Sequence, residues 1–183
     1  MYGRDKPLSV ISQAESFVLY FLVRMMKPET ALETGVSDGM SSLFILLALR
    51  ENKFGHLFSI DFPDVGMSSL FGLDPGWTVP MEIRGRWSLI YRKTSKILIP
   101  LLKTVNKVDV FDHDSEHLYY NMIFEFTSVL KFMKDGSLLL SEDVRSNNAF
   151  HEALELSEFR NRIGLMIGEG PDFGGTFLKQ SSE

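Results

Sequence analysis

Two short polar clusters carry the residue types that could do chemistry. The first is Asp112-His113-Asp114-Ser115-Glu116-His117 and the second is Glu142-Asp143. Carboxylates beside an imidazole suit general acid–base work, and clustered oxygen ligands suit hard cations. With no cysteine in the chain, disulfides and thiolate metal sites are excluded. So many ionisable groups would be costly in a core and unremarkable on a surface, so their meaning depends on the elements that hold them.

A third stretch points to a ligand rather than to a reaction. Ala31–Ser42 reads as a short apolar run ending at Glu33, two glycines at Gly35 and Gly39, and a helix-forming run from Ser41. A strand, a tight turn and a helix N-terminus let backbone N–H groups approach a nucleotide-like ligand. Glycine suits the turn because it allows positive φ and leaves no Cβ in the way. The dinucleotide pattern G-x-G-x-x-G would need glycine where Ser37 and Met40 stand, so an NAD-dependent oxidoreductase is the less favoured alternative. A second run, His56–Asp61, ends in an acid, the position from which a ribose diol is bound in nucleotide-binding sheets.

The elements that position these residues alternate. Ser9–Lys27 reads as an amphipathic helix with Val10, Ala14, Phe17, Phe21 and Met25 on its apolar stripe, stopped by Pro28. Strand Thr30–Gly35, helix Ser41–Asn52 and strand His56–Asp61 follow. Phe62–Arg86 holds too many prolines and glycines for a regular helix, yet keeps Phe71, Trp77 and Met81, and reads as a lid beside the ligand site. Next come strand Trp87–Tyr91, a helix capped by Thr94 or Ser95, strand Val108–Asp112 and helix Leu118–Met133. After an Asp135-Gly136 turn, Ser137–Ser141 is a strand and Asn147–Arg160 a helix. Arg162–Ile167 and Gly175–Leu178 form a closing antiparallel pair. Strands alternating with helices argue a parallel sheet covered on both faces, with ligands outside the carboxyl ends of the strands. Both polar clusters fall at such ends.

The wording of three blocks resembles a known family. Glu33-Thr34-Gly35-Val36-Ser37-Asp38-Gly39 resembles motif I of class I S-adenosylmethionine-dependent methyltransferases, with Ser37 in place of the central glycine. Val108–Tyr119 and Lys134–Val144 are similar to the strand-four and strand-five signatures of a small bacterial and archaeal group. That group is related to sugar and macrolide O-methyltransferases and to cephalosporin-hydroxylase-like proteins. The resemblance runs from Glu15 to Gly175. It implies one Rossmann-like, doubly wound domain over residues 1–183. Its sheet would be mostly parallel and seven-stranded, with an antiparallel C-terminal strand.

The same resemblance implies site roles. Gly35, Val36, Ser37, Asp38, Gly39 and Ser41 would cradle the methionine part of S-adenosyl-L-methionine, with Glu33 nearby. Asp61 would take the ribose, Thr94 or Ser95 would approach the adenine, and Asp112 and His113 would border the cofactor. Asp114, Glu142 and Asp143 stand where metal-dependent relatives hold a divalent cation, Mg²⁺ or else Mn²⁺ or Ca²⁺. Asp114 and His117 would then orient and deprotonate a small-molecule methyl acceptor. A non-catalytic protein that keeps the cofactor fold is the other reading, because fold does not fix function.

Bulk properties set the remaining expectations. The 183 residues, 44% of them hydrophobic and 15 of them Phe, suffice for one full-sized core. A net charge of −5 argues against a nucleic-acid surface. The apolar run Phe17–Val23 is too short to span a bilayer, so a cytoplasmic protein is expected, with self-association into a homo-oligomer left open.

Overall fold

The computed structural model describes residues 13–62, 74–157, 161–167 and 173–179. Seven strands form one sheet in the order β3-β2-β1-β4-β5-β7-β6. They are β1 Thr30–Thr34, β2 His56–Asp61, β3 Trp87–Tyr91, β4 Val108–His113, β5 Met133–Ser141, β6 Asn161–Ile167 and β7 Phe173–Lys179. β1 to β5 are mutually parallel, and β7 runs antiparallel between β5 and β6. The strand order reverses at β1, so the crevice outside its carboxyl end is where such a sheet admits a ligand.

Alternation along the strands divides the core into two layers. Ala31, Val110, Leu138 and Leu140 face one side, beneath α1 Gln13–Met26 and α2 Met40–Asn52. Leu32, Phe111 and Leu139 face the other, beneath α3 Thr94–Val105, α4 Tyr119–Val129 and α5 Ala149–Glu155. The same alternation governs the polar ends. Glu33 pairs in register with Asp112, and Thr34 with His113. Glu33 and Asp112 therefore share the α1–α2 side, and Thr34 and His113 the α4 side.

Three expectations are corrected. The stripe of Phe17, Phe21 and Met25 is not the buried face of α1, since these side chains are 54%, 64% and 71% exposed. Ser16, Leu19, Leu22 and Val23 are buried instead, because the packing of α1 on α2 turns that face inward. The turn expected at Asp135-Gly136 is an irregularity inside β5. Met133 pairs with Val108, Leu138 with Val110, and Gly136 sits at φ 82° between them. Helix α4 ends at Val129 and passes through a 3-10 turn, Leu130–Phe132, so it is shorter than Leu118–Met133.

Much of the lid expectation lies outside the described residues, including Phe71, as do Val10 and Phe159. The described part of that segment, from Asp74, is docked. Met81–Arg86 is a 3-10 helix, and Val79 and Ile83 supply its buried contacts while Trp77 and Met81 face solvent.

Candidate functional site

The turn after β1 is held by its own chain. Gly35 has φ 84° and Gly39 φ 95°, conformations that favour glycine. A Cβ on Gly35 would lie 1.9 Å from the carbonyl oxygen of Asp114, and one on Gly39 would lie 2.6 Å from Cα of Gly76. Each glycine thus permits a close approach of protein backbone on the side where a Cβ would stand. The docking is completed by Gly76 N–H donating to Ser37 O (2.9 Å), and by the Thr78 N–H and hydroxyl donating to Asp38 O (3.1 and 2.8 Å). Ser37 itself adopts φ 49°. Asp61 reaches back from β2, and its Oδ2 accepts the N–H groups of Val36 (2.8 Å) and Ser37 (2.9 Å).

Glu33 and Ser41 turn into the joint between sheet and helix. Glu33 is fully buried and accepts the hydroxyls of Ser41 (2.5 Å), Ser42 (2.6 Å) and Ser59 (2.6 Å). Trp87 Nε1 in turn donates to Ser59 Oγ (2.8 Å). Burial pushes the Glu33 carboxyl up to about 7, against the three hydroxyls that favour its charge. Both residues brace the cradle from behind, where sequence reasoning had put Ser41 against the cofactor. Thr94 and Ser95 open α3 beyond the edge strand β3, with β2 between them and β1.

Beyond the ends of β4 and β5 the ladder continues. Asp114 N–H donates to Thr34 O (2.8 Å) and Glu142 N–H to His113 O (2.9 Å), which brings residues 35, 114 and 142 into line. His117 lies between two carboxylates there: Nδ1 bonds to Asp143 Oδ2, and Nε2 lies 3.3 Å from Asp114 Oδ1 as an ion-pair contact. Asp114 and then Asp143 hold His117 above the ordinary histidine pKa, against burial. Glu142 goes the other way from an ordinary carboxylate. Burial, with Asp114 and Asp112 beside it, pushes it up to about 9, and its Oε1 is buried without a partner. Asp112 is likewise pushed well up by burial and by Glu33, and its Oδ1 is also unpartnered.

The expected metal set is corrected by this geometry. Asp114 and Asp143 both face His117 rather than one shared cation position. Among the described residues, no group of three or more His, Asp or Glu side chains is placed to hold an ion. The imidazolium supplies the positive charge that crowded carboxylates require. These residues do not fit a divalent cation.

Sequence reasoning missed Glu125, Thr34, Ser42 and Ser59. Glu125 had a signal, since it is the one acid on the stripe Met122–Phe126–Val129 of an apolar helix. A groove of about 390 Å³ lined by Lys27, Glu29, Lys107 and Asp109 opens at the amino ends of β1 and β4, away from all these groups.

With the site in view, comparison with known proteins decides the family. Residues 32–144, more than half of the chain, match the family described as a methyltransferase domain. The chain belongs to that family. The solved structures agree in fold. The O-methyltransferase of Bacillus cereus, in complex with S-adenosylhomocysteine, is 15% identical, with a TM-score of 0.72 over 95% of this chain and 84% of that one. The O-methyltransferase TomG of Streptomyces achromogenes, in complex with S-adenosylmethionine, is 19% identical, with a TM-score of 0.70 over 94% of this chain and 82% of that one. A methyltransferase of Geobacter sulfurreducens is 15% identical, with a TM-score of 0.66 over 93% and 81%. No curated protein matches in sequence. At such identities the likeness is one of fold.

The methyltransferase cofactor is a cation at its sulfur and its amino group, and this methyltransferase domain has a matching environment. The unpartnered oxygens of Asp112 and Glu142 are buried acceptors in electrostatic reach of Asp114. Buried acceptors without donors are costly, and a bound ammonium group would satisfy them. The unpartnered oxygens thus suit the cofactor's ammonium group. Among the described residues, no helix is long and apolar enough to cross a membrane.

Proposed function

We propose that the protein transfers the methyl group of S-adenosylmethionine to a hydroxyl oxygen of a small molecule, with His117 as the base. The observation that carries this reading is the imidazole of His117 held between Asp114 and Asp143 at the carboxyl ends of β4 and β5. Asp112 and Glu142 would hold the cofactor's cationic end, and Asp61 has Oδ1 left for its ribose. When bound, the cofactor supplies an electrophilic methyl group. In its neutral form His117 keeps Nδ1 bonded to Asp143, and Nε2, beside Asp114, accepts the acceptor's hydroxyl proton. The paired carboxylates then stabilise the imidazolium that results. The oxygen gains the methyl group, and the sulfur keeps the electron pair of the broken carbon–sulfur bond. No metal takes part in this scheme.

The test is transfer of labelled methyl from S-adenosylmethionine to a panel of hydroxylated small molecules, with His117→Gln beside the wild type. Transfer that is equal in both would remove His117 from the reaction. A second reading, a protein that keeps the fold without the activity, is favoured by one observation. Gly35 and Gly39 face Asp114 and Gly76 at distances that leave no room for a ligand on those two faces. Calorimetry with S-adenosylmethionine and S-adenosylhomocysteine separates the two, since the second reading expects no binding heat from either.

A further inference from the structure

The site has a buried hub that the scheme above does not use. Glu125, on α4, is fully buried, and its two oxygens accept hydrogen bonds from four groups. Oε2 takes the Thr34 hydroxyl (2.6 Å) and His113 Nδ1 (2.8 Å). Oε1 takes the Ser115 hydroxyl (2.9 Å) and Asn121 Nδ2 (3.0 Å). The donors come from the end of β1, the end of β4, the loop after β4 and the first turn of α4. A carboxylate persists in an interior only when such donors surround it. Here His113 and the hydroxyls outweigh burial, which alone would raise it, and hold Glu125 below the usual carboxylate range.

An ionised carboxylate accepts and cannot donate, so the hydrogen between Glu125 and His113 resides on Nδ1 of the ring. In the neutral ring Nε2 is then a bare acceptor. That atom is buried without a partner, and the His113 and His117 rings meet edge to face at 5.7 Å. Ser115 lies between Asp114 and His117 in the chain, and Asn121 also holds that loop through Glu116 O (3.1 Å).

We propose that Glu125 is a positioning residue: it locks His113 in the Nδ1–H tautomer and, through Ser115 and Asn121, sets the path of the loop that carries Asp114 and His117. The tautomer is a property of this chain alone. The consequence for cofactor affinity rests on the methyltransferase reading, with His113 bordering the bound cofactor.

Glu125→Gln makes the decisive change with almost no change of shape. Asn121 Nδ2 and the Ser115 hydroxyl both donate to Oε1, so the new amide keeps these bonds by turning its carbonyl toward Asn121 and Ser115. Its NH₂ then faces Thr34 and His113 and donates to Nδ1, which drives the ring to the Nε2–H tautomer. The experiment is long-range proton–nitrogen NMR on the full chain with ¹⁵N-labelled histidine, the His113 signals being identified by their loss in His113→Gln. The wild type is expected to show protonated Nδ1 with bare Nε2, Glu125→Gln the reverse, and Thr34→Val the wild-type tautomer. Affinity of Glu125→Gln for S-adenosylhomocysteine should fall about 10-fold or more, the loss of one well-placed hydrogen bond. An Nε2–H tautomer in the wild type, or a ring protonated at both nitrogens, overturns the lock, even if the Gln variant fails to fold. An unswitched tautomer in Glu125→Gln also overturns it. A switched tautomer with unchanged affinity overturns the positioning role. If the wild type does not bind S-adenosylhomocysteine, the methyltransferase reading fails, and the tautomer arm still decides the lock.

Discussion

His117 and Asp143 stand beyond the ends of neighbouring parallel strands, and Nδ1 of the one is joined to Oδ2 of the other. The bond sets a pH dependence with a definite sign. Asp114 and Asp143 raise the pKa of His117, so its charged form persists above the ordinary histidine range. Ion pairing here stabilises the fold fully below the unfolded pKa and is lost as pH rises through the folded one. A base must be neutral, so the rate of methyl transfer should climb with pH in the alkaline direction from neutrality. Asp143→Asn should shift that climb toward lower pH, and His117→Gln should cost roughly 10²–10⁴-fold in rate. Initial rates with labelled methyl donor across pH check both.

Glu142 should be a liability for stability. Its carboxyl is pushed up to about 9 by burial and by the acids around it. A group whose folded pKa lies above its unfolded value binds more protons when folded, so its contribution falls as pH rises from the ordinary carboxylate range toward about 9. Glu142→Gln should therefore stabilise the protein at pH ~8, by on the order of 1–3 kcal/mol, and bring little gain near pH ~4.5. Denaturant unfolding at the two pH values measures the difference, and a gain that grew toward acid would contradict the assignment.

The two glycines of the turn should be costly to replace even with no ligand present. Gly35→Ala places a methyl group against the Asp114 carbonyl, and Gly39→Ala places one against Gly76, both at left-handed φ. Left-handed strain of roughly 1–2 kcal/mol and an overlap cost of roughly 1–3 kcal/mol make each loss about 2–5 kcal/mol. Chemical denaturation of the ligand-free variants reads this directly. Full stability with lost binding would restore the view that these glycines serve the ligand alone.

On α1 the two faces should respond oppositely to truncation. Leu19 is wholly buried, so Leu19→Ala should cost about 2–5 kcal/mol. Phe21 is largely exposed, and Phe21→Ser should change stability by no more than about 0.5 kcal/mol. Thermal melts of the two variants compare them, and equal losses would put Phe21 in an interface.

Element type and order were legible in the residues because they depend on local pattern. Apolar runs of strand length, glycine and proline breaks and the acid ending β2 are written within a few positions of one another. They were enough to place Asp61, Asp114, His117, Glu142 and Asp143 at the carboxyl ends of a parallel sheet. Which face a residue turns, and what it meets there, is decided by strands and helices far apart in the chain. Phe17, Phe21 and Met25 form as good a helical stripe as Ser16, Leu19 and Val23, and only the arrival of α2 chose between them. Gly35 and Gly39 read as a ligand's cradle, and only the packed fold set Asp114 and Gly76 against their Cβ positions. Three acids looked like a cation's ligands until His117 came between two of them. Glu125, one acid in an apolar helix, acquired its four partners only when β1, β4 and α4 packed together. Local propensity and periodicity are short-range and lie in the sequence. The compensation of a buried charge is a long-range balance, and tertiary packing alone sets it.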